Sequence, residues 1–261
     1  MKKILAFSIL IVVCSGLFAQ DTPTANEMKY FRFGLKFAPS LNWYKPSDVQ
    51  NFSKGKSKVG LEWGLQTEFR LNKILSFETG LMIDYDKATL NFTDTANYLY
   101  DTKNKTIVSV PGDTGKKYVK YKLNNRFYKT NYITLPIALK MKTPQIGYIT
   151  YFAEFGGNVS FKLKSVVNDN VTQYAPNNPT SDLPNLDNNK DMSLIRLQGR
   201  VGGGLEYTLA GSTAVFFSFS YNIGISNVLK KNSEYLFRND LTPVVQKANS
   251  NNLILTVGIL F

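Results

Sequence analysis

Asn252-Leu-Ile-Leu-Thr-Val-Gly-Ile-Leu-Phe261 puts Leu253, Leu255, Val257, Ile259 and Phe261 on one row. Asn252, Thr256 and Gly258 lie on the other, with Ile254 and Leu260 as apolar exceptions. Alternation with a period of two marks a strand with one face in an apolar phase. Soluble domains commonly end in polar, frayed residues. An aromatic residue ending such a strand points instead to a sheet closed on itself in lipid, where every backbone N–H and C=O must pair internally.

Seven earlier segments repeat the pattern. Phe31–Trp43 sets Phe31, Phe33, Leu35, Phe37, Leu41 and Trp43 against Arg32, Gly34, Lys36, Ser40 and Asn42. Val59–Leu71 sets Leu61, Trp63, Leu65 and Phe69 against Glu62, Gln66, Glu68 and Arg70, and Leu75–Tyr85 sets Phe77, Leu81 and Ile83 against Glu78 and Asp84. The others are Asn131–Lys142, Tyr148–Leu163, Leu194–Leu209 and a seventh carrying Val215 to Ile225. Connections after strands two, four and six are short, whereas those after one, three, five and seven run to about 15, 45, 30 and 26 residues. Short turns on one rim and long loops on the other are the asymmetry of an all-β, eight-stranded antiparallel up-and-down transmembrane β-barrel. The parity predicts short periplasmic turns, long external loops and both termini on the periplasmic side.

The charges choose the inward face. Arg32, Lys36, Glu62, Glu68, Glu78, Asp84, Glu154, Arg196, Arg200 and Glu206 all fall on the polar rows. A cation facing lipid at mid-depth costs about 2–4 kcal/mol, so these rows face a lumen and the apolar rows face lipid. A soluble lipocalin-type barrel inverts that arrangement; long Phe/Leu/Ile rows and the terminal Phe261 favour lipid. Phe31, Phe69, Phe77, Tyr151, Tyr207, Phe217 and Phe261 are predicted near the periplasmic interface, and Trp43, Tyr85, Phe161 and Tyr221 near the outer one.

Lys2 and Lys3 followed by the apolar run Ile4–Val13 have the form of an export signal, with Ala19 before a cut at Gln20. The run is too short to span a bilayer as a helix, which takes about 20 residues. Cys14 follows Val13, too large for a lipoprotein signal, and a cut there falls inside the apolar run. The layout expected is a signal peptide at 1–19, a short segment at 20–29 and one barrel domain at 30–261. Removing the signal leaves no cysteine, and histidine is absent throughout. The chain therefore lacks the commonest general base and a leading zinc ligand. Its mature net charge is +10, from 29 basic and 19 acidic side chains.

Tyr132-Ile-Thr-Leu-Pro136-Ile-Ala-Leu-Lys140-Met-Lys142-Thr resembles the central motif of PorT-like outer-membrane barrels of Bacteroidetes. So do Ile146-Gly147-Tyr148, Tyr151-Phe152, Phe155-Gly156, Gly202-Gly-Gly-Leu-Glu206-Tyr207 and Tyr221-Asn222. Phe261 is similarly placed to the C-terminal assembly signal of bacterial outer-membrane proteins. The resemblance implies an eight-stranded barrel in the bacterial outer membrane and raises a role as accessory of type IX protein secretion. Pro136 has no N–H for the ladder, which predicts a bulge or bend.

Other motifs carry less. Gly199, Gly202, Gly203 and Gly204 lie within a strand without a following helix, so they fail the context of a dinucleotide turn. Pro111-Gly-Asp-Thr-Gly115-Lys116-Lys117 lacks a phosphate loop's first glycine and its Ser or Thr, and reads as an exposed turn. Asp187-Asn-Asn189-Lys-Asp191 has the alternating oxygens of a calcium loop, but Met192 stands at the required glycine, so a solvated loop is the better reading. The inward charges are expected to pair as a structural plug, with proton or ion leakage as the alternative. Lys54, Lys56, Lys58, Lys103, Lys105, Lys116, Lys117, Lys120 and Lys122 in the loops suit lipopolysaccharide or surface glycans, and loop solvation explains them as well. No catalytic residue, cofactor, metal or nucleic-acid partner is expected; Glu62 and Glu78 could do acid–base work only in principle. The leading reading is a non-enzymatic barrel acting through external loops or as a membrane-anchored partner of a surface or secretion-system protein. The alternatives are a type IX secretion accessory and a small-solute channel.

Overall fold

A computed structural model describes residues 29–47, 52–93, 96–108, 118–174, 177 and 179–261. The signal segment with Ala19 and Gln20, and the 111–117 turn, lie outside the described residues. The strands are β1 (Phe31–Pro46), β2 (Phe52–Lys54), β3 (Lys58–Arg70), β4 (Leu75–Phe92), β5 (Asn97–Asp101), β6 (Thr106–Val108) and β7 (Val119–Lys142). They continue with β8 (Ile149–Gln173), β9 (Thr180–Asp187), β10 (Ile195–Ala210), β11 (Thr213–Gly224), β12 (Asn232–Phe237), β13 (Pro243–Val245) and β14 (Ala248–Leu260).

Eight of these strands close a hydrogen-bonded ring in the order β1, β3, β4, β7, β8, β10, β11, β14 and back to β1. Every pair is antiparallel. Closure leaves the ring without a free edge, which satisfies its backbone groups in a phase that cannot hydrogen-bond. The outward row is apolar and exposed: Leu35, Leu65 and Leu81 each show 56% of their surface, and Phe219 55%. The charged rows point inward, with Lys36, Glu62, Glu68, Glu78 and Asp84 all buried. This is the inverse of a lipocalin interior. So large a contiguous apolar surface is untenable in water.

Rings of aromatic residues bound the belt. At the turn end Phe31 meets Phe69 (centroids 5.1 Å apart), Phe69 meets Phe77 (6.4 Å) and Phe33 meets Phe261 (5.7 Å). At the opposite end Trp43 stacks on Tyr221 at 6.1 Å. From Phe31 to Trp43 the chain takes 12 steps along β1. At roughly 3.3 Å per step and about 45° of tilt, these rise roughly 28 Å, close to the height of a bilayer's apolar band.

β4, β7 and β8 run far past this second girdle, beyond the ends predicted at Tyr85, Asn131 and Leu163. The sequence signal stops there because the faces exchange chemistry. On β4 the inward row changes from Asp84 and Asp86 to Ala88, Leu90 and Phe92, and Lys87 takes an outward position. Register shifts add to the change, one extra residue falling at Asn124 in β7 and one at Leu163 in β8. Each flips which parity of residue faces inward. Pro136, at which a bulge or bend was expected, brings no bulge. Its pairing with Asn158 is in register, and only the β4 ladder is interrupted, between the Thr79–Ile137 and Met82–Thr134 pairs, with no shift.

The long connections, expected only as loops, carry strands of their own. β5 pairs with β7 and with β12, β9 pairs with β8, and β2 pairs with β4. Together they extend the wall into a cap over one mouth of the ring.

Candidate functional site

The interior divides into layers of charge. Nearest the turn end, Arg32 contacts Glu68 and Glu206, each at 2.9 Å. Lys140 reaches Glu206 at 2.7 Å, and Lys142 reaches Glu206 at 2.9 Å and also pairs with Glu68. Apolar groups pack under Lys140, whose Nζ lies 3.9 Å from the Phe152 ring centre. Phe152, Phe216 and Leu260 form a small buried cluster there, which accounts for Leu260 as an apolar residue on a polar row.

One level up, Lys36 pairs with Glu62 at 2.7 Å, and Arg200 pairs with Glu154 at 2.7 Å and with Glu78 at 3.6 Å. Gly202 makes room here, since a Cβ on it would lie 2.8 Å from the Glu154 carboxylate and 2.6 Å from Ser220. Above them Arg196 pairs with Asp84, and with Asp86 at 3.1 Å; its guanidinium lies 4.1 Å from the Tyr132 ring centre. Asp86 also accepts from Ser250 Oγ at 3.2 Å and Tyr44 Oη at 3.4 Å.

All ten charges singled out from sequence therefore stand inside the ring in ion-paired contact with one another or with a neighbour. Five further charges join them: Asp86, Lys140 and Lys142 in these layers, Arg126 and Asp169 above. Asp86 was legible as the next inward position after Asp84, and Lys140 and Lys142 as alternate residues opposite Leu139 and Met141. Arg126 and Asp169 lie beyond the bulges, where counting by twos fails.

Over the charges sits an apolar plug. Tyr44, Phe92, Leu123, Tyr128, Val167, Met192 and Phe237 belong to one buried cluster drawn from every long connection. Tyr44 meets Tyr128 at 5.4 Å, and Phe52 meets Phe92 edge-on at 5.2 Å. Within it, Arg126 donates Nε–H and Nη2–H to the two Asp169 oxygens, both at 2.7 Å, and Nη1–H to Asn188 at 3.1 Å. A fully buried, bidentate pair of this kind holds β7 to β8 with fixed geometry.

The 187–191 segment is only partly the solvated loop expected: Asp187 and Lys190 are exposed, but the segment is tied to this plug. Asn188 and Asp191 are buried. Asp191 accepts from Ser233 Oγ and from the Glu234 N–H at 2.6 Å, and its own carbonyl accepts from Lys230 N–H at 2.8 Å. Lys162 Nζ donates to the Asn189 and Met192 carbonyls at 2.5 and 2.8 Å. Burial, with Asp187 and Asp191 nearby, pushes the Tyr235 phenol up to about 12, so it stays protonated.

The closed antiparallel ring, its apolar wall and its charged interior have the form of an outer-membrane β-barrel. Residues 18–230 match the family model of the outer membrane protein beta-barrel domain, and the chain belongs to that family of the bacterial outer membrane. Similar solved structures include Neisserial surface protein A, at 10% identity over 87% of this chain and 95% of that one, with a TM-score of 0.41. The attachment invasion locus protein Ail of Yersinia pestis is 8% identical over 89% of this chain and 100% of that one, TM-score 0.35. The outer membrane protease OmpT from Escherichia coli is 12% identical over 92% and 99%, TM-score 0.33. No curated protein matches the chain in sequence.

Proposed function

We propose that this is a non-enzymatic, eight-stranded up-and-down barrel whose folded cap is the part that meets a partner outside the cell. The observation that carries this reading is the plug itself, in which all four long connections share one buried apolar core. Connections that served only to join strands have no need of a common core. The acid pair Glu62 and Glu78 is engaged by Lys36 and Arg200, which supports a structural use of those carboxylates over acid–base catalysis. The proposed orientation puts the cap outside, the short turns and both chain ends in the periplasm, and an export signal at 1–19. The resemblance of the 132–143 motif to PorT-like barrels of Bacteroidetes favours a secretion-system or surface protein as the partner.

The orientation has a direct test. In intact cells treated with a membrane-impermeant amine reagent, Lys103 and Lys105 in the cap should be labelled and Lys73 in the β3–β4 turn should not. The opposite pattern overturns the orientation. Conductance is a second expected outcome. Paired charges with an apolar plug above them should leave the folded protein electrically silent in planar bilayers, and reproducible single-channel steps would favour the small-solute channel instead.

A further inference from the structure

Outside the ring, just past the Trp43–Tyr221 girdle, lies a group of lysines that the paired interior does not use. Lys87 on β4 and Lys129 on β7 are directly opposite partners in the ladder. Cross-strand partners stand about 5 Å apart at Cβ, and like charges so placed repel. Lys164 on β8 is the partner of Asn131, which makes it the diagonal neighbour of Lys129 on the same face. Lys58 completes the group, since its Nζ and that of Lys129 lie 5.0 and 5.5 Å from the Phe127 ring centre.

Among the described residues none of these four lysines has an ion-pair partner. Lys129 donates only to neutral oxygens, Asn168 Oδ1 at 3.2 Å and Asn185 Oδ1 at 3.3 Å. The carboxylates on that side, Asp182 and Asp187, stand on β9, Asp187 opposite Val166 and so diagonal to Lys164, and neither forms an ion pair with the four lysines among the described residues. Asp182 accepts from Asn170 at 2.7 Å, and Asp187 from the Asn189 N–H at 2.8 Å. The outward row at the ends of β10 and β11 is apolar instead, with Ile195, Ile223 and Ile225 exposed. The cations are gathered on one flank, over the lipid-facing row of Tyr85, Ile133 and Phe161.

Like charges this close repel one another, and an anion among them relieves that repulsion; their place at the rim of an apolar belt names its kind. We infer that Lys58, Lys87, Lys129 and Lys164 bind the phosphate of a lipid headgroup in the outer leaflet, with the acyl chains lying along the apolar row below. The inference rests on the orientation proposed above for its choice of leaflet. The binding itself does not, so a binding assay and the amine labelling can fail separately.

The experiment uses the full folded chain in detergent, with native mass spectrometry reading the lipid retained. The probes are bis-phosphorylated lipid A and the same lipid after dephosphorylation. The parent protein should retain the phosphorylated form preferentially. Each lysine near an anionic surface contributes about 1 kcal/mol, so Lys87→Gln with Lys129→Gln should weaken retention by about 30-fold. Lys87→Arg with Lys129→Arg should retain it, and both pairs should keep the parent's unfolding midpoint. Equal retention of the two lipids overturns the proposal, as does a Gln pair that binds like the parent, or an Arg pair that fails as badly as the Gln pair. Release of lipid A by millimolar inorganic phosphate would show a free-phosphate site instead.

Discussion

Arg196→Met is expected to destabilise the folded protein by about 3–5 kcal/mol, the cost of stranding a buried charge without its partner. Here two carboxylates are stranded at once, since Arg196 is the shared cation of Asp84 and Asp86. The substitution also removes the donor to Ser160 Oγ and the cation over the Tyr132 ring. Equilibrium unfolding by urea in lipid vesicles, followed by tryptophan emission from Trp43 and Trp63, measures the loss. A triple variant, Arg196→Met with Asp84→Asn and Asp86→Asn, should recover most of it, because apolar or neutral replacement of an entire buried ion group is often close to neutral. If the single substitution costs less than about 1 kcal/mol, the charges are hydrated in solution and the interior is not the closed plug described above.

Leu65→Arg carries the second large effect, about 2–4 kcal/mol for a cation held at mid-depth against lipid. Leu65 is 56% exposed in the middle of the outward row and pairs with Leu35 and Leu81 on the adjoining strands. The same change in the cap, at the exposed Leu241, should cost under about 0.5 kcal/mol. Folding in vesicles separates the two. The contrast matters more than either value, because a soluble protein with this surface would tolerate both changes equally.

Much of the ring was legible from the chain because two constraints act together on every strand. The Leu61–Leu71 row has to match a lipid phase while Glu62, Gln66 and Glu68 match a polar lumen, and only a period of two satisfies both. That double constraint lapses past the Trp43–Tyr221 girdle. On β4 the sequence Asp84, Asp86, Ala88, Leu90 turns an inward polar row into an inward apolar one without a break in the strand, so hydropathy alone reads a strand end. The bulges at Asn124 and Leu163 then change parity, which hid Arg126 and Asp169 as an inward pair. The cap escaped for a further reason. Tyr44, Leu123, Met192 and Phe237 are far apart in the chain, and nothing local marks them as one core. The solvated-loop reading of Asp187 to Asp191 failed at Asp191 in the same way, because Asp191 faces Ser233 and Glu234 from a distant connection.

The unbroken passage of β7 and β8 from membrane to cap has a mechanical consequence. Their ladder runs from Tyr121–Gln173 down to Lys142–Phe152, with two bulges and no linker. A tug on the cap along the barrel axis therefore loads a long row of hydrogen bonds in shear, all bearing together, and does not peel them open one after another. A partner that grips the cap takes hold of the barrel wall itself, so the joint transmits force and twist across the membrane surface with little give.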